Sequence, residues 1–199
     1  MTGHLKIIQD NTLPQKHDHV DIIFKDIILR YNDVRRFGCI LWIKSDLIAN
    51  HRLFKHLGIE PLSHQFNFIY FSKILKTKKR AIKNVLMDQN IIVGIGNIYA
   101  NEALFLSHIH PLKKSNLLTK KEINLLIKNI KSILILAIEK GGTTLKDFSD
   151  VEGKNGYFQQ ELHIYDKEGQ KCPNCYNIIQ KIIINNRSSF YCSECQVNT

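Results

Sequence analysis

No stretch of this sequence is apolar over the roughly 20 residues needed to cross a bilayer. The opening residues, MTGHLKIIQD, lack the charged, then apolar, then small-residue order of a secretory signal. No internal repeat or low-complexity tract is evident. These absences point away from membrane spans and solenoids and toward a cytoplasmic globular chain. Acidic residues are outnumbered: 18 Asp and Glu stand against 28 Lys and Arg, for a net charge of +10. A polyanion, foremost nucleic acid, is the natural partner. A merely solvated basic surface, enlarged by AT-rich codon bias toward Ile, Lys and Asn, would carry the same charge. Hydrophobic residues make up 44% of the 199, enough for a real core in one fair-sized domain or two small ones.

The chain divides by pattern into three parts. Residues 1–43 read as β, with HLKII, VDIIF and IILRY as short β-branched runs and RRFGCILWI after them. Cys39, alone in that last run, reads as plain core. Residues 44–160 read as mainly helical. HRLFKHLG ends on a glycine that suits a helix stop, HQFNFIYFSKILKTKK and RAIKNVLMD follow, and NIIVGIGNIYANEALF places Asn97 at a helix start. Thr119 and Glu122 form a capping box for a long helix that Gly141 and Gly142 stop. Residues 143–160 read as loop, and ELHIY as a strand leading into residues 161–199.

That last part holds Cys172, Cys175, Cys192 and Cys195, in two Cys-x-x-Cys pairs separated by sixteen strand-like residues. In a reducing compartment this spacing is a tetrahedral zinc set rather than two disulfides. Four thiolates close the shell, so the zinc is structural and stands in for a core that so short a module cannot bury. A zinc-stiffened hairpin would present Arg187, near its tip, as a fixed guanidinium suited to phosphate or a base edge. Zinc ribbons also bind proteins, and Arg187 could be an ordinary turn residue. The motif alone does not choose.

KHDHVD, RYNDVRRFG, VGIGNIYANEALF, GGTTLKDF, GYFQQELHIYDKEGQKCPNC and RSSFYCSECQ occur in that order. Together they resemble the bacterial formamidopyrimidine-DNA glycosylase family, the excision enzymes for oxidised purines, from Met1 to Gln196. The resemblance implies an α+β fold: part of an N-terminal β-sandwich, a helix–two-turns–helix DNA-binding domain, and a C-terminal zinc-finger β-hairpin. It implies a monomer that bends duplex DNA bearing an oxidised purine or abasic site and flips the damaged base. A secondary amine then attacks the sugar, and elimination cuts the strand. By this resemblance Arg187 assists elimination. Arg35 fills the gap opposite the flipped base, Phe37 is a stacking wedge, and Met1 a further wedge. His17, Lys78 and Asn97 contact DNA, and residues 143–158 form the loop that closes on the base. Residue by residue the plainer readings are a strand-end Arg35, a core Phe37, an interchangeable lysine at 78 and a tight turn before Asn97. A metal pair from His17 and His19 is also conceivable.

The family's N-terminal proline nucleophile, its catalytic glutamate and its β-hairpin lysine have no counterpart in these residues. The expectation is an impaired or inactive chain, with a β piece whose apolar faces and edges lie bare. Such a chain would be a non-catalytic zinc-finger DNA-binding form of the family. A zinc-ribbon module for protein contacts is the third reading, with no use for the helical motifs. Tyr176 stands where the family has glycine, and would be strained if that position takes a positive φ.

Overall fold

The computed structural model describes residues 3–9, 12–142 and 158–197. The architecture is α+β, in two units. One comprises residues 1–45 with 136–161, the other residues 46–135 with 162–199.

In the first unit the β-branched runs form β1 (His4–Ile8), β2 (Asp18–Ile23) and β3 (Ile28–Asn32). They make one antiparallel sheet in the order β1-β3-β2, with Leu5 opposite Tyr31 and Asp21 opposite Arg30. Arg30 is buried and grips Asp21 with both prongs of its guanidinium, Nε to Oδ1 and Nη2 to Oδ2, each at 2.8 Å. A bidentate pair of this kind fixes strand register as well as neutralising the buried charge. A sandwich needs a second, facing sheet. The described residues of this unit form only the single sheet β1-β3-β2, and Ile23, Phe24 and Trp42 are exposed, Trp42 fully.

Residues 34–44 correct the strand expectation for RRFGCILWI: they form no strand, and Cys39 is exposed rather than core. The reason is Asp33, which folds the chain back on itself. Its carboxylate accepts from Tyr31 Oη at 3.0 Å, Gly38 N at 2.8 Å and Arg35 N at 3.2 Å.

The second unit holds α1 (Phe68–Thr77), α2 (Ile82–Leu86), α3 (Asn97–Leu106) and the start of α4 (Lys120–Glu139). Asn67 caps α1 by accepting from Tyr70 N at 3.1 Å. The capping box forms as its spacing predicts: Thr119 N donates to Glu122 Oε2 at 2.8 Å and Glu122 N to Thr119 Oγ1 at 3.2 Å. Gly141 and Gly142 end α4 at φ 70 and 89, backbone that favours glycine. Phe66, Phe71, Leu86, Ile92 and Phe105 are fully buried core. No helix among the described residues is long and apolar enough to cross a membrane.

Two further local expectations fail. HRLFKHLG, residues 51–58, is a series of turns and not a helix. Gly58 serves close approach instead: a Cβ there would lie 2.2 Å from the Ile91 carbonyl carbon, and Gly58 N donates to Gln89 O at 2.7 Å. ELHIY, residues 161–165, is a short 3-10 turn and a loop, not a strand. Its backbone donors go to a distant side chain: Glu102 Oε2 accepts from His163 N at 2.8 Å, and Oε1 from Ile164 N at 2.9 Å and Tyr165 N at 2.8 Å. The unit ends in the hairpin of β4 (Gln180–Ile184) and β5 (Arg187–Tyr191).

Candidate metal centre and nucleic-acid interface

The Sγ atoms of Cys172, Cys175, Cys192 and Cys195 all lie within 4.8 Å of one another. Sulfurs held about 2.3 Å from a tetrahedral zinc stand roughly 3.8 Å apart. Cys172 and Cys195 are separated by 3.8 Å, and Cys175 and Cys192 by 3.4 Å. The donor set is therefore closed, soft and correctly spaced, and the chain carries one structural zinc site. Backbone N–H of Asn177, then the Cys192 thiol, hold the Cys175 thiol below its ordinary value. Burial pushes Cys192 and Cys195 up, and a divalent cation is what lets all four ionise together. No other group of three or more His, Cys, Asp or Glu among the described residues could hold a metal, so His17 and His19 gain no third ligand.

The zinc module does have a core, shared with a helix. Cys172, Cys192, Ile164, Ile179 and Phe190 pack in one buried cluster with Phe105 of α3. Gln196 adds a polar tie, accepting from Cys192 N at 3.0 Å and donating to Ile109 O at 2.8 Å. At the far end of the hairpin Asn185 and Asn186 take φ 47 and 56. Two successive residues in the left-handed region make the two-residue turn whose twist matches a hairpin, and asparagine tolerates it. Arg187 follows directly, exposed, as the first residue of β5.

Two helices grip the next residues. Asn97, the first residue of α3, donates from Nδ2 to Ser188 O at 3.1 Å. Lys83 of α2 donates from Nζ to the same carbonyl at 2.8 Å and to Ser189 Oγ at 2.6 Å. Lys83 is almost wholly buried. Its pKa falls from 10.5 to about 8, through burial first and the nearby Arg187 charge second. Sequence reasoning singled out Asn97 and Arg187 but missed Lys83. The partners of Lys83 lie 105 and 106 residues away, and α2 has five residues, too few for helical periodicity to mark a buried face. Of the two glycines before Asn97, only Gly94 has a positive φ, at 76. Gly96 is extended, with no atom near its missing Cβ.

In the first unit, Arg35 and Phe37 sit in the loop that Asp33 holds. The Arg35 guanidinium stacks 5.2 Å from the centroid of the Phe37 ring, which is 66% exposed. The Asp33 clasp beneath the loop holds this apolar ring in solvent. His17 is half-buried just before β2, and its carbonyl accepts from Asp33 N at 3.0 Å. In the second unit Lys78 is exposed at the end of α1, its carbonyl taken by Ser115 Oγ at 2.7 Å. Met1 and residues 143–157 lie outside the described residues.

Residues 57–149 match the model of the formamidopyrimidine-DNA glycosylase H2TH domain. Residues 169–197 match a zinc finger found in FPG and IleRS. The formamidopyrimidine-DNA glycosylase of Vibrio atlanticus is 50% identical over 198 residues, covering 99% of this chain and 73% of the relative. That of Photobacterium profundum is 48% identical, covering 98% of this chain and 72% of the relative. A Lactococcus lactis Fpg in complex with DNA containing an abasic site superposes with a TM-score of 0.91 at 37% identity, over 99% of this chain and 72% of that one.

Proposed function

The chain belongs to the formamidopyrimidine-DNA glycosylase family, and we propose that its 199 residues grip duplex DNA at an oxidised purine or an abasic site. The observation that carries this reading is the convergence of Lys83 and Asn97 on Ser188, beside Arg187. Three polar groups from α2, α3 and the zinc hairpin are thereby locked around one stretch of chain, so Arg187 meets DNA already ordered. In this reading Arg187 takes a phosphate of the damaged strand and assists elimination, while Asn97 and Lys78 hold neighbouring phosphates. His17 adds a backbone contact. Arg35 enters the gap left by the flipped base, with Phe37 replacing its stacking. The net charge of +10 supports a polyanionic partner.

Base excision in the family's chemistry needs a secondary amine at the sugar. None of the four prolines in these 199 residues is followed by glutamate, as the family's nucleophile is. Made as these 199 residues, the polypeptide is proposed to bind damaged DNA without excising the base.

Borohydride trapping tests both parts. The purified chain is mixed with a duplex bearing one oxidised guanine, or an abasic duplex, and reduced. Binding to both duplexes with no cross-link is the expected result. A cross-link to both would refute the loss of excision, and peptide mapping would name the amine. Equal affinity for damaged and undamaged duplex would sink the recognition reading itself.

A further inference from the structure

A cleft of about 400 Å³ opens beside Arg187, between α2 and the hairpin tip. Arg80, Asn84, Asn185, Asp88 and Arg187 line it, and Met87 and Ile184 complete its walls. Its polar groups are two guanidiniums, two amides and one carboxylate. That carboxylate is occupied: Asp88 pairs with Arg80. An entering anion meets one net positive charge from the lining and a further one from Lys83 behind it. No aromatic ring faces the cleft, so it offers no surface on which a base could stack.

The two walls are fixed with respect to each other. Asn84 follows Lys83, whose ammonium is bonded to Ser188 and Ser189 of the opposite wall. Asn185 is held at φ 47 by the two-residue turn. A polar, net-positive and preorganised cleft is what a phosphate needs, because little ordering remains to be done on binding. A bound anion would also offset the repulsion between Arg187 and Lys83.

We propose that this cleft is a second phosphate subsite for DNA, formed by Arg80, Asn84 and Asn185 next to the phosphate that Arg187 takes. The inference rests on the reading of Arg187 as a phosphate ligand. Two sources supply the same chemistry: a phosphodiester of the unbroken strand, and the phosphate end left when the strand is cut.

The test uses the zinc-loaded 199-residue chain and fluorescence anisotropy over a salt series. Three duplexes are compared: uncut abasic, gapped with phosphate ends, and gapped with hydroxyl ends. Arg80→Gln and Asn185→Gly are the variants. Glycine keeps the positive φ of the turn, so that variant loses the amide without losing the hairpin. Unchanged zinc content verifies both folds. Each variant should weaken binding about ten-fold, the scale of a hydrogen bond to a charged group. Arg80→Gln should also lower the salt slope by about 0.9. Weakening on the uncut duplex assigns the cleft to a backbone phosphodiester. Weakening confined to the phosphate-ended gap assigns it to the cleaved end. If both variants bind all three duplexes like the parent while Arg187→Gln weakens binding, the cleft inference is wrong and the Arg187 reading stands. If Arg187→Gln also binds like the parent, both are wrong.

Discussion

Replacing Glu102 by glutamine changes one oxygen to an NH2 group and leaves the shape intact, yet the structure makes it a severe substitution. The carboxylate is 1% exposed and takes four donors: three backbone N–H groups of residues 163–165, and His163 Nδ1 at 3.1 Å. Glutamine keeps one accepting oxygen and aims its own donors at two of those four. Each lost hydrogen bond to a charged group is worth about 1.5–3 kcal/mol. Two such losses, partly relieved by rearrangement, come to about 3 kcal/mol, roughly 150-fold in the folding equilibrium. Burial alone would raise the pKa of Glu102, but the hydrogen bonds from residues 163–165 outweigh it and hold it below the ordinary 4.5. A carboxylate with a depressed folded pKa contributes its stability above the unfolded value and loses it as the pH falls through the folded one. The parent should therefore lose stability in acid below about pH 4.5, and Glu102→Gln should follow a flatter curve there. Urea unfolding read by far-ultraviolet circular dichroism, at pH 7 and then at falling pH, measures both quantities. Amide exchange at residues 163–165 locates the damage. A destabilisation under about 1 kcal/mol, or parallel pH curves for parent and variant, would refute the reasoning.

Three other outcomes are expected. Tyr176 is 73% exposed at φ 63; Tyr176→Gly removes about 1–2 kcal/mol of strain, set against about 0.5–1 of glycine entropy, and should tighten zinc in a chelator competition. Gly58→Ala places a methyl 2.2 Å from the Ile91 carbonyl carbon, and should cost about 1–3 kcal/mol in urea unfolding; a neutral result would mean the 58–91 contact gives way freely. Stripping zinc with a chelator should release the hairpin and lower affinity for abasic duplex at least ten-fold, the loss expected when an Arg–phosphate contact is gone; unchanged binding would show that the metal does not position Arg187.

Much of the site was legible because its chemistry is local in sequence. Cys172 through Cys195 declare a zinc by spacing alone, and Thr119 with Glu122 declares a helix start. Asn97 could be placed at a helix start from the glycines before it. What escaped depends on contacts made far along the chain. The ELHIY run has strand residues, but Glu102, about sixty residues earlier, captures the N–H groups a strand would use. RRFGCILWI reads as strand until Asp33 folds it back. HRLFKHLG has a helical pattern and a terminal glycine, but that glycine is there to let Ile91 come close. Lys83 looked like one more surface lysine in a basic chain, and only the packed structure buries it against Ser188.

If Arg187 takes DNA as proposed, the single carbonyl of Ser188, shared by Lys83 and Asn97, makes metal and nucleic acid thermodynamic partners. Zinc orders the hairpin that carries this carbonyl, and in the proposed reading the arginine next to it takes DNA. Linkage is reciprocal for equilibrium binding. By whatever factor zinc tightens the hold on DNA, DNA must tighten the hold on zinc. The chain would then guard its metal best while it sits on a lesion, and be most open to losing it between encounters.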